Sequence, residues 1–320
     1  MDPSKNSSRP PSWQILLAFA IIYLVWGSTF LAIRVGVHEM PPFLMAGLRF
    51  FAAGVILYAW MRATGIPTPT PLQWVGATLL GTVIFVLDYG CLFWAEQRVP
   101  SGIAAVILAS IPVFMTLLEI TFLRTQRLTY RLGAALVIGI AGVAVLMNHS
   151  FSLGEVPIDR KGATALIIAA FSWSLAAILT RRIPLPDSKP MSAAAQMLMG
   201  GAQLLALAAL SGEFAEFHPH AVSRTAWFAL FYLITAGSIA AFTAYVWLLH
   251  YESPTRVGTY AYVNPVVAVL LGYFVGGEAL GRRTLLGALL ILASVVTITT
   301  TPKRSSGAQG TGELSIADAG

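Results

Sequence analysis

Charge is what this chain has least of. Asp, Glu, Lys and Arg together make up 11% of its residues, against 57% apolar ones. A soluble domain carries about 25% charge. There are too few charges to clothe a soluble core, and a mean hydropathy of +0.74 agrees. The composition is that of an integral membrane protein. Cysteine is nearly absent as well. Cys91 stands alone inside an apolar run, which excludes an internal disulfide and a cysteine-based metal cluster. No G-x-x-x-x-G-K-[ST] run exists, so a P-loop ATPase is excluded, and no H-E-x-x-H zinc motif is present. The five histidines fall in loops or at helix ends, so Ser28 and Ser110, which lie deep, have no histidine for an intramembrane serine protease. No cofactor and no metal are expected. The net charge of +6 does not gather into a basic stripe with interleaved aromatics, so nucleic acid is not an expected partner.

What is present is a series of apolar runs. A helix needs about 20 apolar residues to cross the hydrocarbon. Ten candidates stand at 14–33, 43–61, 73–94, 101–122, 132–148, 162–180, 191–211, 225–248, 257–276 and 284–301. Helices are expected because a bilayer leaves an unclosed segment no other way to satisfy its backbone groups. A soluble helical solenoid would need polar outer faces, which these runs lack. Residues 1–12 and 303–320 are polar and small, and are expected to be flexible. The first apolar run is too long for the core of a signal peptide, so it is expected to be retained as a span. With the N-terminus inside, twelve of the 20 Lys and Arg fall in cytoplasmic segments and seven in outer loops, with Arg49 inside a span. Both termini are therefore expected in the cytoplasm.

The chain also repeats itself. "RVPSGIAAVILASIP" at Arg98 has a counterpart in "ESPTRVGTYAYVNP" at Glu252, with Pro112 matching Pro265. "LGAALVIGIAGVAVL" at Leu132 echoes "LGALLILASVVTI" at Leu286, and "WGSTFLAIR" at Trp26 aligns loosely with "WSLAAILTR" at Trp173. The offset is roughly 150 residues, so each copy holds five spans. An odd number of spans sends the second copy in from the opposite side. The expected architecture is an all-α membrane protein of ten transmembrane helices, in two inverted five-helix repeats at 13–150 and 160–302. Such repeats are typical of secondary transporters, with the substrate near the midplane between them.

"WGSTFLAIR", "VPSGIAAVI" and "TYAYVNPVVAVLLG" followed by "GGE" resemble the EamA family of the drug/metabolite transporter superfamily. The resemblance covers about residues 14–301. It implies export of small metabolites, amino acids (aromatic or neutral) or organic-cation drugs, across the bacterial inner membrane. The first repeat departs from the pattern: where the second has Gly277-Glu278, the first has Thr125-Gln126. A polytopic enzyme acting on lipid-like substrates is the alternative. A channel would want rings of charge or carbonyls around a symmetry axis.

Polar groups in a bilayer are costly, so each is a candidate. Asp88 leads, as a site for a substrate ammonium or a proton, with structural pairing to Arg49 as the plainer reading. Glu96 and Arg98 are expected at the interface. Glu119 is expected to snorkel or to pair with Arg124. Tyr260, Tyr262 and Asn264 form a polar–aromatic arc with Gly258 and Thr259, beside the carbonyl that Pro265 frees. Helix–helix glue is the plainer reading of that arc. Trp26, Trp173, Tyr89, Trp94, Tyr245 and Trp247 are expected at matching depth, as a ring-lined pocket suited to aromatic amino acids or to cations. Pro100, Pro112, Pro254 and Pro265 are candidate gating points. Ala135, Gly139 and Gly287 are expected to permit close helix approach. The expected partners are a small-molecule substrate and the bilayer. A monomer is the expected state. Facilitated transport and proton coupling both stay open.

Overall fold

The computed structural model describes residues 10–123, 128–147, 158–180, 182–252, 257, 260–279 and 281–300. Among these residues all regular structure is helical, with no strand. Seven helices are long and apolar enough to cross a membrane. Six of them serve as α1 (Ser12–Val37), α2 (Pro42–Ala63), α3 (Pro71–Glu96), α4 (Ser101–Phe122), α6 (Arg160–Leu179) and α7 (Lys189–Leu210). The seventh, α8, starts at Arg224 and runs on to Tyr251. Between and after them stand α5 (Tyr130–Met147), α9 (Tyr260–Phe274) and α10 (Arg282–Thr300). Pro254, Gly258, Thr259, Arg124 and the Thr125-Gln126 pair lie outside the described residues, as does the side chain of Tyr262.

Local chemistry sets where helices begin. Thr70 and Gln73 form a reciprocal capping box at the start of α3, with Pro71 in the first turn. Ser188 caps α7 through the Met191 amide, Ser223 caps α8 through that of Ala226, and Asp159 caps α6 through that of Gly162. The helices are apolar on all sides, and many large side chains face outward, among them Leu16, Leu24, Val75, Phe228 and Leu289. A helix apolar all round with its outer face unburied is built for lipid.

Three helices are irregular. α4 breaks at Ala109–Ser110, directly before Pro112. π-helical turns occupy Thr82–Tyr89 within α3 and Leu233–Ala240 within α8. α9 runs through Pro265 without a break.

α2 lies against α7, α5 against α10, and α4 against α9. α1 packs on α8 and α9, while α6 packs on α3 and α4. Glycines permit the closest crossings. A Cβ on Gly54 would stand 2.7 Å from the backbone nitrogen of Leu198, and one on Gly201 would strike the backbone of Phe51. Between α5 and α10, Ser294 Oγ donates to the Ala135 carbonyl at 2.6 Å, and Gly139 and Gly142 face Ser294 and Ile291. The small residues of α5 thus pack as the sequence led one to expect.

Candidate functional site

The aromatic candidates gather into two clusters. On α1, α8 and α9, the rings of Trp26, Tyr245 and Tyr260 stand 4.9 to 6.0 Å apart. Trp26 Nε1 donates to the Gly237 carbonyl inside the π-helical stretch of α8, at 3.2 Å. On α2, α3 and α6, Tyr89 lies 4.5 Å from Phe50, 5.9 Å from Phe85 and 6.2 Å from Trp173. The Tyr89–Phe85 pair is stacked and the others are tilted or edge-to-face, and edge-to-face contacts are among the favoured aromatic geometries. Two candidates stand elsewhere. Trp94 lies under the guanidinium of Arg98, 3.9 Å from its ring centre, and Trp247 pairs with Tyr251.

Arg49 is 2% exposed. Its Nε donates to Ser238 Oγ at 3.0 Å, and its guanidinium carbon stands 4.6 Å from the Phe50 ring and 5.3 Å from that of Tyr89. The sequence suggested an ion pair with Asp88. Instead, no hydrogen bond or ion pair reaches the Asp88 carboxylate among the described residues, though Asp88 is 4% exposed. Both residues take their positions from π-helical turns, Asp88 on α3 and Ser238 on α8. Such turns re-aim side chains and are frequent at functional sites.

Of the arc around Pro265, the side chains of Tyr260 and Asn264 are described, and both make contacts with α1. In the orientation that satisfies its amide, Asn264 Nδ2 donates to the carbonyls of Tyr23 on α1, at 3.3 Å, and Tyr260, at 3.2 Å. Beside it, a Cβ on Gly27 would stand 3.2 Å from the Asn264 carbonyl. In the corresponding place on the other side, Ser174 Oγ donates to the Ile111 carbonyl at the α4 break, at 3.0 Å. In that orientation of its amide, Asn264 ties α1 to α9.

The ends of α2, α4 and α8 nearest one another carry a set of long-range caps. Glu213 Oε2 accepts from the Leu44 amide at 2.7 Å and so caps α2. Glu39 accepts from the amide of Ser223 at 2.6 Å and from its hydroxyl at 2.7 Å, at the start of α8. Glu278 accepts from the amides of Ser101 and Gly102 at 2.7 and 3.0 Å and so caps α4 beside Pro100. Arg34 Nε holds Glu278 from the side, at 3.3 Å, and its Nη1 donates to the carbonyls of Glu96 and Val99. Gly277, at φ +64°, turns the chain after α9 so that Glu278 faces α4, a conformation other residues enter at a cost. Carboxylates at helix starts satisfy orphan amides and face the positive end of the dipole. A hollow of about 380 Å³ opens here, bordered by Arg34, His38, Pro100 and Glu278. None of the aromatic candidates borders it.

Glu96 differs from expectation. The sequence put it at the interface, two residues past the span that ends at 94; it is 0% exposed there, while Arg98 two residues later is exposed. The Val99–Pro100 turn and Arg34 cover it. No pattern in the sequence announces that cover, because Arg34 comes from another helix. Glu119 is 9% exposed.

Known proteins share this plan. The EamA-like transporter family matches residues 12–148 and again residues 160–300. An inner membrane transporter of Escherichia coli strain K12, named YedA and described as uncharacterised, is 37% identical over 284 residues, covering 88% of this chain and 89% of its own. A protein of Salmonella typhimurium named "Probable amino-acid metabolite efflux pump" is 28% identical over 283 residues, with 86% of this chain and 91% of its own covered. A crystal structure 23% identical in sequence superposes with a TM-score of 0.60, covering 95% of this chain and 100% of its own, which supports the fold alone. Apolar spans and relatives agree on a multi-pass protein of the inner membrane, and on transport rather than enzymatic chemistry. With the family matched twice along its length, the chain belongs to the EamA-like transporter family.

Proposed function

We propose that this chain is a secondary exporter of small metabolites, working by alternating access between two inverted halves of five helices each. One observation carries the reading. The most extensive helix contacts survive exchange of each helix with the one five places on. α1 on α8 and α9 becomes α6 on α3 and α4, while α2 with α7, α4 with α9 and α5 with α10 map onto themselves. Two of the π-helical stretches fall at matching places under this exchange, Thr82–Tyr89 in α3 and Leu233–Ala240 in α8. Two halves so related have two equivalent ways of closing, one toward each side of the membrane.

The substrate site lies between the two aromatic clusters. Trp26, Tyr245 and Tyr260 form one wall, Tyr89 and Trp173 the other, and Asp88 offers a charge to an ammonium group. This lining favours neutral and aromatic amino acids and organic cations, and a cation over such rings gains about 0.5–2 kcal/mol. The break in α4 before Pro112 is the bending point of the first half. With both termini in the cytoplasm, as the Lys and Arg distribution favours, the carboxylate caps lie on the periplasmic side and hold it shut.

Purified protein in liposomes, offered labelled tryptophan, labelled threonine and a quaternary ammonium dye in parallel, tests the reading. Time-dependent movement of at least one solute, lost in Trp173→Ala at matched protein levels, is the expected result. If no solute moves while a lipid is chemically altered, the exporter reading fails.

A further inference from the structure

Glu96 is fully enclosed, and neither of its carboxylate oxygens has a hydrogen-bond partner. Three charged groups face it from other elements: Arg34 from α1, Arg49 from α2 and Glu278 from the α9–α10 connection. Each cation is turned elsewhere. Arg34 spends its Nε on Glu278 and its Nη1 on the backbone carbonyls of Glu96 and Val99. Arg49 spends its Nε on Ser238, and its Nη1 is buried without a partner. The other polar neighbours of Arg49, Tyr89 and Tyr232, are uncharged phenols, and Tyr232 is hydrogen-bonded to Ser28. Arg98, in the turn just after the helix that ends with Glu96, lies exposed over Trp94.

A bare carboxylate in such a place is expensive, and a proton is the smallest partner that removes the expense. We infer that Glu96 is the proton-binding group of the transport cycle, and that its protonation closes the Arg34–Glu278 latch. Two carboxylates compete for one guanidinium. When Glu96 is ionised it draws Arg34 away from Glu278, and Glu278 then holds α4 less firmly. When Glu96 takes a proton the competition ends, Arg34 returns to Glu278, and the capped end shuts. The proton arrives from the side on which that end opens, rides on a Glu96 oxygen through the change of access, and leaves to the opposite side as Arg34 or Arg49 replaces it. Asp88 stands apart from this exchange: neither Arg34 nor Arg49 pairs with it. The inference rests on the exporter reading for its direction, while the proton site itself does not.

The test uses the full chain in two measurements. Infrared spectra of the protein in lipid films should show the deuteration-sensitive C=O stretch of a buried protonated carboxyl, weakened by loss of one component in Glu96→Gln. In liposomes, labelled tryptophan should move faster under an imposed proton gradient; the acceleration should be lost in Glu96→Gln and regained in Glu96→Asp. Spectra unchanged by Glu96→Gln, or a gradient response equal to wild type, overturn the inference. If Glu96→Gln does not fold, Glu278→Gln gives a second reading. With its competitor gone, Arg34 is free for Glu96 and the band should fade; a band at full strength overturns the inference. If wild type moves no tryptophan and yet the band disappears in Glu96→Gln, the proton site stands and the exporter reading is what fails.

Discussion

Trp26 is a single residue with two measurable contributions. Its indole N–H holds the Gly237 carbonyl, and its rings hold Tyr245 and Tyr260. Trp26→Phe keeps a ring and loses the hydrogen bond, which should cost about 1 kcal/mol. Trp26→Ala empties the cluster and should cost roughly 3–5 kcal/mol. Thermal unfolding of the two variants in detergent, compared with wild type, separates the terms; equal losses would mean the rings contribute nothing. Two acidic residues at the capped end should respond to pH in opposite senses. The Ser223 amide and hydroxyl hold the Glu39 carboxyl below its ordinary range, so this cap is fully made above that range and is lost as pH falls through the lowered value. Burial pushes the Glu213 carboxyl up, so its contribution is present at low pH and falls as pH rises through the raised value. Amide hydrogen exchange at Ser223, followed from acid to neutral pH, should show protection growing; unfolding of Glu213→Gln over the same range should lack the decline with rising pH that Glu213 gives wild type. Much at this scale was legible in the sequence. Aromatic residues deep in spans have few reasons to be there, so Trp26, Tyr89, Trp173, Tyr245 and Tyr260 stood out and do meet. Asn264 stood out for the right reason, its cost in lipid, but the sequence does not say which carbonyl relieves that cost. The burial of Glu96 was not legible, because Arg34, bonded to its carbonyl, comes from another helix.

The elements show the same division. The break before Pro112 follows from a ring that cannot continue the hydrogen-bond ladder. Pro265 carries the same defect without a break, and Asn264, donating to carbonyls of α9 and α1, binds the helix at that level. The π-helical stretches left no mark in composition. Thr82–Tyr89 and Leu233–Ala240 share no residue pattern, and each extra turn is stabilised by what it packs on. Close crossings were only half legible, since Gly139 was expected to pack but the α2–α7 contact was not foreseen. Gly201→Leu should drive a side chain into the Phe51 backbone. Overpacking typically costs 1–3 kcal/mol, and more where backbone must yield. Monodisperse protein at wild-type yield would contradict it. Gly272→Ala is subtler. Its Cβ would meet Glu278 Oε2 at 2.5 Å, so the latch should loosen while the fold persists.

For the whole molecule the latch is a statement about which way the protein faces. Glu278→Gln removes the charge that Arg34 holds and weakens the cap on α4. In a Cys91→Ala background, free of native thiols, a cysteine placed at Ile103 beside the hollow should react with a membrane-impermeant reagent several-fold faster once Glu278→Gln is added. No change in rate would show that the latch does not govern access. Two copies were expected at this scale from paired prolines and an odd span count, and the family's two matches, over residues 12–148 and 160–300, agree with two copies. The caps were not, because each joins residues more than a hundred positions apart.

Those distances bear on how the protein is made. The amide of Leu44 waits for Glu213, 169 residues downstream, and that of Ser101 waits for Glu278, 177 residues downstream. A ribosome delivers α2 and α4 to the bilayer long before either acceptor has been synthesised. α2 must therefore sit with a bare start until about two-thirds of the chain is made, and α4 until translation is nearly finished, and a chain truncated after α5 should be an orphan that quality-control proteases recognise.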